Sequence, residues 1–232
     1  MTSKPILLIP ARDEAHHLPE LLQEWAEHGA LHTDLCLVLD NCTDDSHAIV
    51  SGVQASENFP PFTAVTTVDN RQGKAGAITY ALDRFPDQFT EDRFVVLWDA
   101  DREYALPTLP AFLEGIPENA EARAWTMLSG KRSGLMLRRS VMANSVIRAC
   151  LAFTTGRRPP RDVLSGVRAM QCGHLVQALC GSSGFDMETR LVRYFLENEG
   201  TILEWPVRYQ PRLKGKKIKV WDLPALIKAA LI

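Results

Sequence analysis

No stretch of this 232-residue chain stays apolar for anything near the length of a membrane span. Nor does a charged-then-apolar leader open it, so neither a membrane-crossing helix nor a secretory signal is expected. Cysteine is sparse and scattered. Cys36, Cys42, Cys150, Cys172 and Cys180 are odd in number and none stands in a C-x-x-C pair. That argues against a zinc site and a disulfide framework, and it predicts reduced, mostly buried thiols in the cytoplasm. Glycine is missing where two common nucleotide folds need it. There is no G-x-x-x-x-G-K-[ST] string, and no glycine-rich turn follows the first apolar run, so a P-loop and a Rossmann site are both disfavoured. Internal repeats, low-complexity segments and the aromatic-basic string of an RNA-binding module are absent too, and nucleic acid is not expected as a partner.

What is present is an ordinary globular composition, 46% apolar and 23% charged, in a chain long enough to bury a sizeable core. The net charge of −2 conceals an asymmetry. Residues 1–120 carry 20 acids and 7 bases, residues 121–232 carry 8 acids and 19 bases. Either the second half meets something anionic, or the two halves neutralise each other where they touch.

Apolar spacing predicts the architecture. Pro5 to Ile9 and Leu35 to Leu39 are continuous apolar runs of strand length, as in strands buried on both faces. Leu18, Leu21, Leu22 and Trp25 recur at helical spacing. Thr43 to Gln54 and Lys74 to Phe85 predict two more helices, Thr63 to Val68 and Arg93 to Trp98 two more strands. Such alternation predicts an α/β fold, a mainly parallel sheet with helices on both faces. Its ligand would sit beyond the carboxyl ends of the strands.

The second half is less regular. It predicts a strand over Trp125 to Leu128 leading into the basic stretch Ser129 to Gly134, a helix over Arg138 to Phe153 and a strand over Val163 to Met170 broken at Ser165-Gly166. A helix over Phe185 to Asn198 and a strand over Ile202 to Tyr209 follow. Four lysines between Lys214 and Lys219 precede Val220, Leu223, Leu226, Ile227, Ala230 and Leu231 at helical spacing. That end either packs on the core or rests on the inner face of an anionic membrane as a peripheral contact.

Polar strings follow all four strands of the first half: Pro10-Ala11-Arg12-Asp13-Glu14, Asp40 to Asp45, Asn70 to Lys74, and Asp99-Ala100-Asp101. One polar loop means little; four at the same edge of one sheet make a site. Asp40 can accept hydrogen bonds from a base or ribose, whereas Asp44 suits a helix cap. Gly73-Lys74 at a helix start offers N–H groups and an ammonium to a phosphate, with Arg71 beside it either a phosphate contact or a solvated loop residue. Asp99 and Asp101, with Glu103 two positions on, place carboxylates on one side of a strand end. They either form a solvated turn or share a divalent cation, and oxygen ligands suit Mg²⁺ or Mn²⁺.

The order of these strings resembles that of the family-2 glycosyltransferases with the GT-A fold. Ile9 to Glu14 is similar to the family's I-P-A-x-N-E, and Asp40 to Ser46 to its D-D/N-x-S/T-x-D-x-T, one residue short. Gly73-Lys74 matches G-K-x-x-A, and Asp99-Ala100-Asp101 matches D-A-D. Ser165-Gly166-Val167-Arg168, Gly184-Phe185-Asp186-Met187-Glu188 and Glu204 to Tyr209 fall where the branch resembling dolichyl-phosphate mannosyltransferases, the polyprenyl-phosphate branch, has S-G-F-R-A, G-F-x-x-E and E-x-P-I-x-Y. The closing R-x-x-G-x-S-K appears from Arg212 to Lys219 without its serine, and Arg190 departs from the pattern.

The resemblance implies a single domain over residues 1–232, with the nucleotide sugar in 1–120 and the acceptor in 121–232. The implied donor is a UDP- or GDP-sugar, contacted by Pro10, Ala11, Glu14, Asp40, Arg71, Gly73, Lys74 and Asp99. Mn²⁺ or Mg²⁺ would be held by Asp99, Asp101 and Glu103, and transfer would invert the anomeric centre. A saccharide hydroxyl as acceptor would need a base, Asp186 or Glu188, although an acid is favourable at a helix N-terminus for its own sake. A polyprenyl phosphate would need none, and Lys131, Arg132, Arg139 and Arg212 would bind it. Rivals are a nucleotidyltransferase, disfavoured by the missing G-x-G-x-R loop, and a catalytically degenerate module that binds a nucleotide sugar or RNA.

Overall fold

A computed structural model describes residues 3–67, 73–134, 136–180, 182, 186–212 and 223–231. Strands β1 (Ile6–Ala11), β2 (Asp34–Leu39), β3 (Thr63–Thr66), β4 (Phe94–Leu97), β5 (Thr126–Ser133), β6 (Arg168–Gln171) and β7 (Thr201–Arg208) form one sheet in the order β3-β2-β1-β4-β6-β5-β7. β1 pairs in parallel with β2 and β4, β2 with β3, and β5 with β7. β6 alone runs antiparallel to both its neighbours. The carboxyl ends of the other six strands therefore share one edge.

The described helices are α1 (Leu18–His28), α2 (Ser46–Gln54), α3 (Gly73–Arg84), α4 (Leu109–Leu113), α5 (Ala120–Ala124), α6 (Arg138–Thr155), α7 (Cys172–Leu179), α8 (Met187–Glu197) and α9 (Leu223–Leu231). The continuous apolar strands serve two cores. Leu7, Ile9, Leu35 and Leu37 pack with Leu21, Leu22 and Trp25 of α1, Val50 of α2 and Phe112 of α4. Ile6, Leu8, Cys36 and Val38 point the other way, toward Ile78 of α3, Ile147 and Leu151 of α6, Leu175 of α7, Leu191 of α8 and Leu226 of α9. Each fully buried leucine or isoleucine contributes roughly 1.5–3 kcal/mol, so the central strands anchor both layers.

Three differences from the expected elements have local causes. The strand expected over Val163 to Met170 begins only at Arg168, because the backbone N–H groups before it are claimed elsewhere. Those of Val163 and Leu164 donate to Asn144 Oδ1 at 2.8 and 3.2 Å, and that of Gly166 donates to the Tyr104 hydroxyl at 2.9 Å. β5 continues through the basic stretch to Ser133, since β7 pairs with it residue for residue. α2 starts at Ser46, because Asp13 binds the N–H and hydroxyl of Thr43 while Asp44 takes the N–H groups of Ala15 and Ser46. The short helices α4, α5 and α7 were not among the expected elements. At the far end of the chain, Leu226 and Ala230 of α9 are buried in the core, whereas the lysines of 214–219 lie outside the described residues. No helix among the described residues is long and apolar enough to cross a membrane. The cysteines are free, Cys36 and Cys172 buried and Cys180 exposed.

Candidate active site

The central acidic turn is pinned from both ends. β4 stops at Leu97, and the next residue, Trp98, is fully buried. Its indole N–H donates to the Tyr104 carbonyl at 3.3 Å, and its ring packs edge-on against Tyr104 and Phe112. Between them Arg102 takes a left-handed φ of 57° and reaches Glu20 and Glu24 of α1. The turn thereby presents Asp99 and Asp101 at the carboxyl edge, with the Glu103 N–H donating to Asp101 at 3.0 Å.

Two cations bind these acids. Lys74, in the first turn of α3, donates to Asp99 at 2.6 Å, to Glu188 at 3.1 Å and to the Gly166 carbonyl at 3.5 Å. Burial alone would lower its pKa, but Asp99 and Glu188 outweigh burial and hold the ammonium above the ordinary lysine value. Arg212 donates to Asp101 at 2.7 Å and Glu14 at 3.4 Å, and its backbone N–H donates to Glu103 at 2.7 Å. The Tyr209 hydroxyl takes the other Glu103 oxygen at 2.9 Å. Both links join the acidic first half of the chain to the basic second half.

Four carboxylates (Glu14, Asp99, Asp101 and Glu188) thus pair with two cations, and Glu103 beside them accepts from the Arg212 backbone and the Tyr209 hydroxyl. The deficit is felt most at Asp101. Burial and the neighbouring Asp99 push its pKa up to about 7, although Arg212 pulls the other way. An all-oxygen donor set with surplus negative charge fits a hard divalent cation. Asp99 accepts from Lys74, the two Asp101 oxygens accept from the Glu103 N–H and from Arg212, and the two Glu103 oxygens accept from Tyr209 and from the Arg212 N–H, so a cation bound here would take the place of these donors. Among the described residues, the group whose potential ligand atoms all lie within 4.8 Å of one another is instead Asp13, Cys42 and Asp44. There the carboxylates are occupied in tying the loops after β1 and β2 together.

The floor of the site is the loop before β6. A Cβ on Gly166 would lie 1.9 Å from Asp99 Oδ2, so only glycine lets the loop approach the acid this closely. The loop is held by Arg168, whose side chain is fully buried and donates to Ser129 and to the carbonyls of Asp162, Val163 and Val167. Spacing did not single out Tyr104, Asn144, Arg168 or Tyr209. The signal for Tyr104, Arg168 and Tyr209 was only their place inside or beside the motif strings, and Asn144 had none.

The other expected residues divide. Pro10, Ala11 and Asp40 come together at the ends of β1 and β2: the Asp40 N–H donates to the Ala11 carbonyl at 2.8 Å, and its carboxylate accepts from Thr67 at 3.1 Å. Gly73 opens α3 with a left-handed φ of 69°. Glu188 joins the cluster through Lys74, whereas Asp186 accepts from Ser182 at 2.8 Å and from Arg190 at 2.6 Å. Arg190, a departure from the motif, thus serves to neutralise Asp186. Lys131 is exposed on β5. Arg132 is engaged by the buried carboxylate of Asp162 in two bonds of 2.7 and 2.6 Å and lies over the Tyr209 ring, so its charge is spent inside the protein. Arg71, Gly184 and Phe185, and the side chain of Arg139, lie outside the described residues.

This strand order, with an acidic turn at the end of the fourth strand, defines the GT-A class of α/β folds. Residues 6–152 match the profile of Glycosyl transferase family 2, and the chain belongs to that family. It is 23% identical over 210 residues to Glycosyltransferase AglJ of Haloferax volcanii, covering 90% of this chain and 64% of that protein's length. The fold is similar to that of glucosyl-3-phosphoglycerate synthase from Mycobacterium tuberculosis. The complex of that enzyme with Mn²⁺, UDP-glucose and phosphoglyceric acid has a TM-score of 0.65 at 20% identity, covering 98% of this chain and 78% of that one. Its complex with Mn²⁺, UDP and glucosyl-3-phosphoglycerate has a TM-score of 0.64 at 19% identity, covering 97% and 76%.

Proposed function

We propose that the protein is a metal-dependent glycosyltransferase of a single GT-A domain over residues 1–232, moving a sugar from a nucleoside diphosphate to an acceptor that bears a phosphate. The observation that carries this reading is the convergence of Asp99 and Asp101 on one turn at the carboxyl edge, beside Glu14, Glu103 and Glu188, with burial and Asp99 raising the pKa of Asp101. Asp101 and Asp99 would hold Mn²⁺ or Mg²⁺, which when bound neutralises charge on the departing diphosphate. Glu103, which anchors Tyr209 and Arg212, would stand beside them as the third ligand. The pocket of Pro10, Ala11 and Asp40 would take the base and ribose of a UDP- or GDP-sugar; the UDP and UDP-glucose bound by the mycobacterial enzyme favour uridine.

Lys74 and Arg212 hold the place of the ligands. On donor binding they would pass from the carboxylates to phosphate oxygens, a short move for long side chains already within hydrogen-bond reach. An acceptor phosphate is ionised and needs no base. Lys131 and Arg212 would attract it, and the polyprenyl phosphates of the branch that the sequence motifs resemble are of this kind. A saccharide hydroxyl has support in one observation, the position of Glu188 beside Asp99 through Lys74. Release of nucleoside diphosphate with Mn²⁺ is the test. Turnover with polyprenyl phosphate but not with a saccharide alcohol supports the proposal; turnover with the alcohol alone, lost in Glu188→Gln, replaces the acceptor. No metal-dependent release with any donor leaves the nucleotidyltransferase and binding-module readings.

A further inference from the structure

α6 is apolar on two opposite sides. Its inner side sends Ile147 and Leu151 into the core. Its outer side carries Val141, Met142, Ser145, Val146, Ala149, Ala152 and Phe153, all exposed, within an arc of roughly 140° at 3.6 residues per turn. Val141 is 46% exposed, Met142 70%, Val146 42% and Phe153 87%. An exposed apolar stripe of this length ordinarily meets a partner or a membrane. The Thr154 hydroxyl donates to the Ala230 carbonyl at 2.9 Å, bringing the exposed Leu231 beside the end of the stripe.

The rim decides what fits there. From Gly130 to Arg161 the sequence has no acid and eight bases. A shallow cavity of about 500 Å³ along the stripe is lined by Arg148, Arg157, Arg158, Ala149 and Ala152. The neighbouring acids are Glu199, paired with Arg157, and Glu204, which accepts from the Arg161 backbone. A second copy of the chain would bring like charges together, and a neutral apolar partner would leave the arginines unanswered.

We propose that the outer face of α6 is a docking surface for an anionic lipid bilayer, with Met142 and Phe153 entering the headgroup boundary and Arg148 and Arg158 meeting lipid phosphates. α6 begins just after the carboxyl end of β5, so the attached protein holds its candidate active site beside the lipid surface. The surface depends on no assignment of donor or acceptor.

Co-sedimentation of the full chain, without nucleotide, with vesicles of phosphatidylcholine alone or mixed with phosphatidylglycerol tests it. The expected result is binding to the mixed vesicles only, weakened by salt. Binding should fall more than tenfold in Met142→Glu/Phe153→Glu and about fivefold for each of Arg148→Gln and Arg158→Gln, with unchanged thermal midpoints. Wild-type protein that stays in the supernatant with mixed vesicles overturns the proposal, as does a double variant that binds equally well. A wild-type dimer dissociated by Met142→Glu reassigns the face to a second copy.

Discussion

Gly166→Ala would separate the geometry of the site from ordinary helix and loop energetics. The added Cβ would lie 1.9 Å from Asp99 Oδ2, and ordinary contact begins at 3.4 Å. The acid or the loop must therefore yield by about 1.5 Å, far beyond the slack of a packed interior. The loop cannot retreat easily, because Arg168 and the Tyr104 hydroxyl hold it. Asp99 is the end of a side chain and gives way first, losing the 2.6 Å bond from Lys74. A displaced Asp99 no longer faces the cation it would help to hold, which predicts a loss of roughly tenfold to a hundredfold in metal-dependent nucleotide binding, measured calorimetrically. Gly52→Ala is the comparison. It lies in α2 with nothing within 4 Å of the new Cβ, so it should stabilise the protein by about 0.5–1 kcal/mol in urea unfolding and leave binding unchanged. Wild-type affinity in Gly166→Ala would refute the claim that Asp99 is positioned by this close approach.

Arg132→Met leaves Asp162 buried without its partner, and urea unfolding should record a loss of about 3–5 kcal/mol. Arg132→Met/Asp162→Leu should recover most of it. Asp101→Asn removes a carboxylate whose folded-state pKa stands above its ordinary 3.8. A raised carboxyl pKa means that ionisation costs stability at pH 8. The unliganded variant should therefore unfold no earlier than wild type there, while losing its response to Mn²⁺ in thermal-shift measurements. Lys74→Met leaves Asp99 and Glu188 without their shared cation. Nucleotide affinity should fall at least tenfold, with the diphosphate affected more than the nucleoside.

Much of the fold was legible because burial on both faces leaves a plain trace: Ile6 to Ile9 and Leu35 to Leu39 are apolar without interruption and are the central strands. The positions of Asp99, Asp101, Gly73 and Lys74 were legible because parallel strands deliver their loops to one edge. The direction of β6 was not. Val163 to Met170 is apolar enough for a strand, and what shortens it is Asn144 and the Tyr104 hydroxyl, partners about 20 and 60 residues away. Likewise the pairing of Arg132 with Asp162, and of Arg212 with Asp101 and Glu14, depends on tertiary placement that local spacing does not encode. The spacing of α6 marked a helix, but apolar residues on both sides concealed that only one side would be covered.

The most direct test of a donor site at Asp99 and Asp101 is thermal unfolding against UDP-, GDP-, CDP- and dTDP-sugars, each with and without Mn²⁺. A ligand at a hundred times its Kd stabilises the native state by about 2.7 kcal/mol, which for a chain of this length is a rise of roughly 5–10 °C. The account predicts that rise with one nucleotide family, a uridine donor first, only when Mn²⁺ is present and not in Asp101→Asn. An equal rise without metal, or none with any of the four, would contradict it.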